Sequence, residues 1–516
     1  MIAMPQASLR RSHAVTCGLL AIVLVLAVKT RADDIPADVP QGTLTLLSGD
    51  AVSGTFRPSP NPDVVRWQGA DFVRPFEFPA GIVTSVRFPP IQPAAKARGE
   101  FLIELAPDDV LTGRLVRWTD ETVEIDTERF GTLHVRRSAV RRLVRTDGNP
   151  SLVFAGLTGI GGWNQPGTAW REDGTQIFTS QDMAMASADV GIPEKALIEF
   201  ELAWKKSASF VLALGVNPDE KVDKRQEGWR FETWDGTLAI VREQPLAADV
   251  DKVMSISGDT GRMQLTAYLD QAAGTMQVFL PDGTPAGKVT VVSEAAAAGV
   301  KAKPVARGIR LVNRRGELRL EKLRVSRWNG LLPTLKKPGQ SHLDLADGKT
   351  VSGTITGFDD AKREFTVSAD GQETRVPLDK VVSADVSSGA APSPRSVSVA
   401  LQDGSRLSGK IETLGAADLI LSNPEITEPL RMRYSQLHGL NRLQPKPLDE
   451  TEKPEGRRGR LEIGGLKLHG RLAPFVETAD ASSIAWHPEG SLTSSPLLPD
   501  AAGKIVYRDP PRPTPS

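Results

Sequence analysis

Apolar and polar residues alternate over short stretches along most of the chain, and many of these stretches end in a turn. Five segments share one register: the fifth position is aliphatic, the seventh is glycine, and an apolar residue follows two positions later. Alternation with a period of two is typical of strands with one buried face. The sequence therefore predicts five related β-hairpins, whose shared segments are residues 48–54, 107–113, 347–353, 403–409 and 464–470.

The residue types within these segments explain why each should form a hairpin. Asp-Gly at 347–348 and 403–404 suits a tight turn, because glycine reaches positive φ freely. A glycine inside the second strand, such as Gly54 or Gly409, removes a side chain at a point where a small barrel has to bend. Each copy continues with another strand and a closing segment. One unit then has roughly 45 residues, close to the lower limit for a domain that folds alone.

The turn, the bent second strand and the closing strand resemble those of the Sm-like and SH3-type small β-barrels. The resemblance covers residues 42–147, 341–445 and, less closely, 457–508. It implies small β-barrels at 42–91, 100–147, 341–388 and 396–445, with a divergent fifth barrel at 457–508. Tandem barrels of this kind resemble parts of large secreted bacterial proteins. The resemblance implies the fold and not the function. Sm-like barrels that bind RNA do so as basic rings in the cytosol, and this chain has neither that charge nor that predicted compartment.

Residues 150–330 lack the repeat but keep the alternation, in longer strands. In 196–204, Ile198 and Phe200 share one face, whereas Glu199 and Glu201 share the other. No helical periodicity is present there, so the segment is predicted to be a two-sheet β-sandwich. Its FELAW strand, its GWRFETWDG hairpin and its closing RGIRLVNRRGELRLEKLRV resemble the concanavalin A-like jelly rolls, including laminin G and 3-keto-disaccharide hydrolase modules.

The whole chain is therefore predicted to be all-β. Small β-barrel repeats, two before and two to three after, should surround a central jelly-roll β-sandwich. The proline-rich tail at 509–516 is predicted to be disordered.

The N-terminal segment indicates export. Arg10 and Arg11 precede an apolar run at 14–28, and the small residues Thr30 and Ala32 precede Asp33. This pattern predicts a signal peptide at 1–32 and a secreted or periplasmic protein. The alternative is an uncleaved membrane anchor, in which case the protein would contact a membrane.

Composition narrows the possible partners and cofactors. The chain has 63 basic and 63 acidic residues, and such a balance is unsuited to binding nucleic acid. The only cysteine, Cys17, lies within the predicted signal peptide, so a mature chain would have no disulfide. The six histidines are scattered without metal-ligand spacing, and neither a metal nor another cofactor is predicted.

Carboxylates of the central segment are the candidate catalytic groups. Glucanases on the jelly-roll fold place acids along one strand face, as Glu199 and Glu201 do here, but the next same-face position is Ala203. The pair is therefore interpreted as a solvated strand face. The full catalytic alternative consists of Glu199, Glu201, Glu232 and Asp235, and it requires two of them about 5–10 Å apart in a concave cleft.

Aromatic and basic residues are the candidate binding groups. Trp229 and Trp234 flank the predicted turn of a hairpin, and they are the tryptophans most expected to be exposed for stacking on sugar rings. A basic run includes Arg136, Arg137, Arg141 and Arg142. It is interpreted as a charged barrel edge, or as a surface for an anionic polymer, a lipid headgroup or the acidic face of another domain.

Functions of different classes remain open at this point. The first is a non-catalytic exported binding or scaffold protein, whose partner is a polysaccharide or an envelope protein. The second is a carbohydrate-active hydrolase that uses carboxylates of the sandwich. A third is purely structural, with the barrels acting as spacers for assembly.

Overall fold

The computed structural model describes residues 39–91, 98–106, 108–146, 152–173, 175–218, 228–244, 247–291, 305–332, 340–386, 393–446, 457–478 and 481–507. All of them belong to one compact unit. The predicted signal peptide and the predicted disordered tail lie outside these ranges. No helix within the ranges has the length and apolar character needed to cross a bilayer.

The described residues form strands and four short 3₁₀ turns, without an α-helix, and this confirms the all-β prediction. The first two repeats each supply five strands. Unit 1 contains β1 (Gly42–Leu46), β2 (Ala51–Arg57), β3 (Val64–Gly69), β4 (Phe76–Pro79) and β5 (Val83–Arg87). Unit 2 contains β6 (Phe101–Leu105), β7 (Asp109–Trp118), β8 (Thr122–Thr127), β9 (Gly131–Arg136) and β10 (Val140–Arg145).

The central segment is a β-sandwich, as predicted. Its strands are β11 (Leu152–Phe154), β12 (Arg171–Asp173), β13 (Gln176–Thr179), β14 (Ala184–Asp189), β15 (Lys195–Val216), β16 (Trp229–Trp234), β17 (Thr237–Gln244), β18 (Ala247–Ser255), β19 (Gly261–Asp270), β20 (Thr275–Phe279), β21 (Pro285–Thr290) and β22 (Gly308–Arg327). The long strands β15 and β22 pair with each other along both sheets.

A bend in β15 divides the sandwich into its two sheets. The ladder between β15 and β22 is irregular between Lys205 and Ser209, where Lys206 has a positive φ of 70°. The first half of β15 pairs with β19, and β20 and β21 follow. Its second half pairs with β16, and β17 and β18 follow. Apolar side chains such as Phe200 and Leu212 fill the space between the sheets, each stabilising the fold by about 1.5–3 kcal/mol.

Three further repeats follow the sandwich. Unit 3 contains β23 (His342–Leu345), β24 (Thr350–Ser352), β25 (Thr354–Asp359), β26 (Glu364–Ala369), β27 (Gln372–Pro377) and β28 (Val381–Asp385). Unit 4 contains β29 (Val397–Leu401), β30 (Arg406–Leu414), β31 (Asp418–Ser422), β32 (Leu430–Arg433) and β33 (Leu437–Arg442). Unit 5 contains β34 (Arg458–Ile463), β35 (Leu466–Thr478), β36 (Ala481–Pro488), β37 (Ser495–Pro496) and β38 (Gly503–Val506).

Every unit has the same strand order. The last strand pairs with the first, and the second, third and fourth follow in turn; unit 3 divides its second strand into β24 and β25. In the described ranges no ladder joins the fourth strand to the last. The described units are therefore not closed barrels.

The repeated glycine marks a close approach of the second and third strands in all five units. A Cβ atom on the glycine would overlap the backbone carbonyl oxygen of a residue on the third strand, at Gln68, Asp126, Ser368, Ser422 and His487 respectively. The glycines concerned are Gly54, Gly113, Gly353, Gly409 and Gly470. Strands two and three can therefore approach closely only because no side chain lies between them.

In units 1 to 4 the second edge of the last strand pairs with the last strand of another unit. Strand β10 pairs with β6 on one edge and with β28 of unit 3 on the other. Strand β5 likewise pairs with β1 and with β33 of unit 4. Unit 4 also meets unit 2 through a bridge between Val135 and Ile426, and unit 5 meets unit 1 through one between Phe72 and Leu497. The spatial order is therefore 5–1–4–2–3.

Apolar side chains from all five units form one continuous core. Phe56 of unit 1, for example, stacks on Tyr434 of unit 4 with ring centroids 4.6 Å apart. The predicted domain boundaries stay a prediction. The described units share sheets and one core, so these boundaries do not separate independent cores.

The repeated glycine predicts a specific stability effect. We expect Gly409→Ala to lower the free energy of unfolding by at least about 2 kcal/mol, because its methyl group would overlap the Ser422 carbonyl and force the strands apart. Gly357→Ala, in β25, is the matched control, since its nearest neighbour would be the Thr366 side chain at 3.9 Å. Urea unfolding of both variants measures the difference. Equal stability of the two variants would contradict the close-approach explanation.

Candidate ligand-binding cleft

A cleft of about 280 Å³ lies where the sandwich meets units 2 and 3. Strands β15, β19 and β22 supply its sandwich side, β10 its unit 2 side, and β23 and β28 its unit 3 side. Its lining combines charged side chains with aromatic ones. Those that carry the argument below are Arg142, Glu199, Tyr268, Arg324, Trp328 and Asp344.

The charged part of the cleft is assembled from two ladders that face each other. On one, Arg142 of β10 lies opposite Asp385 of β28 and Glu104 of β6. On the other, Glu199 of β15 lies opposite Arg324 of β22. Opposite charges at such cross-strand positions attract each other within each sheet. When the two sheets face each other, the same charges also pair between them.

The contacts between the two ladders form one network of ion pairs. Arg142 is hydrogen-bonded to Glu199, and its Nε lies 3.5 Å from Asp385 Oδ1. Arg324 Nη1 lies 3.2 Å from Glu199 Oε2, and Arg324 Nη2 lies 2.5 Å from Glu104 Oε1. Glu199 and Arg324 are buried. Each buried charge therefore has an opposite charge beside it, which offsets the large cost of removing it from water.

The network fixes the protonation state of its members. Burial raises the pKa of the Glu199 carboxyl, but the charges of Arg142 and Arg324 outweigh burial and lower that pKa to about 2. Glu104 behaves in the same way: burial raises its pKa, but the charges of Arg324, Lys322 and Arg142, together with a hydrogen bond from Lys322, lower it below its usual range. Both carboxylates are therefore ionised at neutral pH, and neither is suited to donate a proton as a general acid.

The interpretation of Glu199 and Glu201 as a solvated strand face is wrong for Glu199. That face is covered by unit 2, whose Arg142 reaches across to Glu199. Glu201 is half-buried, and its Oε1 lies 3.2 Å from Arg262 Nε. It lines a second cavity, of about 240 Å³, on the other side of the ion-pair network.

Neither Glu232 nor Asp235 lines the described cleft. Glu232 lies on β16, which pairs with the second half of β15, whereas Glu199 lies on the first half. It is buried and bonded to Arg230 Nε at 2.6 Å and to Arg314 Nη2 at 2.9 Å. Asp235 occupies the tight turn after β16 with a positive φ of 41°. The four predicted carboxylates are thus not brought to one site.

The predicted pair of exposed tryptophans is half right. Trp234 is 44% exposed at the end of its hairpin, whereas Trp229 is 2% exposed. Trp229 belongs to the sandwich core, and the Arg242 guanidinium covers its ring at 3.9 Å from the centroid. Trp229 is therefore inaccessible to a sugar ring, and Trp234 does not line the cleft among its described residues.

Two aromatic residues of the cleft were not identified by the sequence analysis as binding candidates. The rings of Tyr268 and Trp328 meet edge to face with centroids 5.4 Å apart, and both are half-buried. Trp328 Nε1 donates a hydrogen bond to the Leu331 carbonyl at 2.6 Å. A signal was present in the sequence: Tyr268 alternates with core residues of β19, so it occupies the outward face beside Thr266 and Gln264.

The four candidate arginines do not form one surface patch. Arg142 is in the ion-pair network, and Arg141 lines the second cavity. Arg137 Nη1 lies 2.9 Å from Asp120 Oδ1, and Arg136 is exposed at the end of β9. For Arg141 and Arg142 the interpretation as a free barrel edge is wrong, because β10 pairs on both edges. For Arg142, contact with the acidic face of another domain is confirmed.

No protein-family model and no curated protein matches the chain. Solved structures similar to it include carbohydrate-binding proteins and glycoside hydrolases. The carbohydrate-binding module CBM66 from Bacillus subtilis has 9% identity and a TM-score of 0.24, covering 32% of this chain and 95% of that one. The galectin LEC-6 from Caenorhabditis elegans has 11% identity and a TM-score of 0.21, covering 29% and 95%.

A glycoside hydrolase gives a similar result. The GH43 protein BlXynB from Bacillus licheniformis has 10% identity and a TM-score of 0.25, covering 54% of this chain and 66% of that one. At such identities and scores these likenesses concern β-sheet architecture only.

The ion-pair network predicts a large effect of one substitution. We expect Glu199→Gln to lower the free energy of unfolding at pH 7 by about 3–5 kcal/mol, because it leaves Arg142 and Arg324 buried without their shared carboxylate. Glu412→Gln is the control, because its partner Lys410 is exposed and such pairs contribute at most about 1 kcal/mol. Denaturant unfolding measures both. Similar losses for the two variants would contradict the account.

The lowered pKa of Glu199 also predicts a pH dependence. Its stabilising contribution is complete above the ordinary carboxyl pKa of 4.5 and is lost as the pH falls towards 2, where the folded protein also binds the proton. The stability difference between the wild type and Glu199→Gln should therefore shrink between pH 4.5 and 2. Unfolding curves over this range measure it, and a constant or growing difference would count against the assignment.

Proposed function

We propose that the chain is an exported, non-catalytic protein that binds a carbohydrate chain in the cleft between the sandwich and units 2 and 3. The observation that supports this proposal most strongly is the composition of the cleft. Aromatic rings of Tyr268 and Trp328 adjoin fixed charges such as Glu199 and Arg324 in a cavity of about 280 Å³. Export is inferred from the residues at 1–32.

The chemistry of a sugar ring suits this combination of side chains. A pyranose has a flat apolar C–H face, which stacks on an aromatic ring, and a rim of hydroxyl groups, which bond to charged and amide groups. The volume is near the lower end of ligand pockets, which have about 300–1,000 Å³. The apolar rim of the cleft is exposed, with Leu331 at 54% and Leu332 at 43%. This supports binding of one part of a longer chain.

Binding is favoured over hydrolysis in this cleft because its candidate catalytic carboxylate is held ionised. Glu199 is paired with two arginines and has a pKa of about 2. A general acid needs a pKa near the working pH, and a nucleophile needs access to the sugar. The ion pairs keep the Glu199 pKa far below the working pH, and the two arginines restrict the access of its carboxylate to a sugar. We therefore assign Glu199 to the construction of the cleft.

The arrangement of the units supports a scaffold role for the rest of the chain. Shared ladders join units 2 and 3 and units 1 and 4, and Arg87 and His438 of units 1 and 4 contact Asp173 and Glu172 of the sandwich. The ladder between units 2 and 3 fixes these two walls of the cleft relative to each other. A preformed cleft binds with less loss of conformational entropy than one made of mobile parts. A polysaccharide or an envelope protein is the expected partner.

Retention on insoluble polysaccharides and binding to a glycan array test this proposal with the full chain. We expect Trp328→Ala to weaken retention at least tenfold, because it removes a stacking surface of the cleft. Trp234→Ala is the matched control, since this exposed tryptophan does not line the cleft, and it should bind as the wild type does.

Two outcomes would overturn the carbohydrate proposal. One is the absence of retention on every glycan, which would favour a protein partner. The other is a specific retention that Trp328→Ala leaves unchanged, which would locate the binding site elsewhere on the molecule.

A carbohydrate-active hydrolase is the second candidate, and one observation favours it at the second cavity. Glu201 and Glu321 both contact the guanidinium of Arg262, at 3.2 and 2.8 Å. Burial raises the pKa of Glu321, and the Glu201 charge adds to the rise, although Arg262 acts against it. A carboxyl with a raised pKa close to a second carboxyl is the arrangement that glycoside hydrolysis uses.

Reducing-sugar release from candidate polysaccharides tests the hydrolase alternative. If it is correct, Glu321→Gln and Glu201→Gln should each lower the rate at least 100-fold, whereas Glu412→Gln should leave the rate unchanged. Turnover that survives both substitutions would exclude these two residues as the catalytic pair.

A further inference from the structure

Three potential metal ligands lie on one face of two neighbouring strands in unit 3. His342 and Asp344 are two residues apart on β23, so their side chains leave the same side of the sheet. Asp385 of β28 is directly opposite His342 in the ladder between these strands. Side chains of directly opposed residues also share a face. One imidazole and two carboxylates therefore converge.

The distances between these groups do not suit hydrogen bonds. His342 Nε2 lies 3.4 Å from Asp385 Oδ2 and 3.7 Å from Asp344 Oδ2, and ligand atoms of all three residues lie within 4.8 Å of one another. Hydrogen bonds from nitrogen to oxygen have lengths of about 2.7–3.2 Å. A tetrahedral metal ion with bonds of about 2.0–2.2 Å holds neighbouring ligand atoms about 3.3–3.6 Å apart. The two separations from His342 Nε2 are close to this tetrahedral spacing.

The histidine supplies a second, independent observation. His342 is 5% exposed, and its Nε2 atom is buried without a hydrogen-bond partner in the described structure. Buried polar atoms without a partner are rare in folded proteins and call for an explanation. A bound cation between Nε2 and the two carboxylates would satisfy this nitrogen.

Neighbouring groups hold the carboxylates in place. Thr350 Oγ1 donates to Asp344 Oδ1 at 3.0 Å, and Ser383 Oγ donates to Asp344 Oδ2 at 3.1 Å. Arg142 Nε lies 3.5 Å from Oδ1 of Asp385, while Oδ2 faces the histidine. Hydrogen bonds to ligating carboxylates are typical of metal sites, where they orient the ligands.

We propose that His342, Asp344 and Asp385 bind a divalent transition-metal ion, with Zn²⁺ as the expected species. An imidazole ligand favours Zn²⁺ and similar ions over Ca²⁺ and Mg²⁺, which prefer sites made of oxygen atoms only. Two carboxylates balance the charge of the ion. Three protein ligands leave a fourth position for water or another small ligand. Because Asp344 also lines the cleft, the site adjoins the proposed carbohydrate position but does not depend on it.

Calorimetric titration with Zn²⁺ tests the site, using the full chain carrying a histidine-free purification tag and stripped with a chelator. We expect one Zn²⁺ per chain in the wild type and at least 100-fold weaker binding in His342→Ala and in Asp344→Asn. His487→Ala is the matched control, because this half-buried histidine lies in unit 5 beside Ser494. It should bind Zn²⁺ as the wild type does.

A spectroscopic measurement keeps the test decisive if one variant fails to fold. Co²⁺ substituted for Zn²⁺ should show the intense visible absorption of a four-coordinate ion. Thr350→Val, which keeps the ligands but removes a hydrogen bond to Asp344, should weaken binding about tenfold. Absence of saturable binding by the wild type would overturn the proposal, and so would equal affinity in the wild type and a folded His342 or Asp344 variant.

Discussion

The second edge of the last strand in units 1 to 4 is the feature on which the architecture depends. An unpaired edge exposes a row of amide and carbonyl groups and promotes association with other chains. In this protein β10 and β28 cover each other, as do β5 and β33. This pairing connects units that are separated in sequence by the whole sandwich. It also places Arg142 beside Asp385 and in hydrogen-bonding contact with Glu199 of the sandwich.

The cleft follows from that placement. Two sheets that carry opposite charges at facing positions can approach only if every buried charge finds a partner, and Arg142, Glu199, Arg324 and Glu104 meet this condition. Replacing such a network by apolar residues is often neutral or stabilising in other proteins, so its stronger effect is on which surfaces fit together. The ion pairs thereby fix the distance between the aromatic residues of the sandwich and the strands of unit 3.

Local signals in the sequence were sufficient for the strands but not for the assembly. The glycine at the seventh position of each repeat predicted that the second strand needs a position without a side chain, because this requirement involves neighbours in sequence. Contacts such as that between Glu104 and Arg324, 220 residues apart, do not change the local alternation of apolar and polar residues. Strand alternation assigns Glu199 to the face away from the sandwich core, but whether that face meets solvent depends on unit 2. Trp229 is inaccessible for a different reason: its ring belongs to the sandwich core, and Arg242 of the paired strand covers it.

Hydrogen exchange of the native full chain, measured by mass spectrometry, tests the shared ladders most directly. Amides of β10 and β28 should be as protected as those of β15 at the centre of the sandwich, because exchange from a strand paired on both edges requires extensive unfolding. Peptides covering 140–145 and 381–385 report on the joint between units 2 and 3. If these peptides exchanged much faster than the first three strands of their own units, as free edges do, the units would not be joined as described.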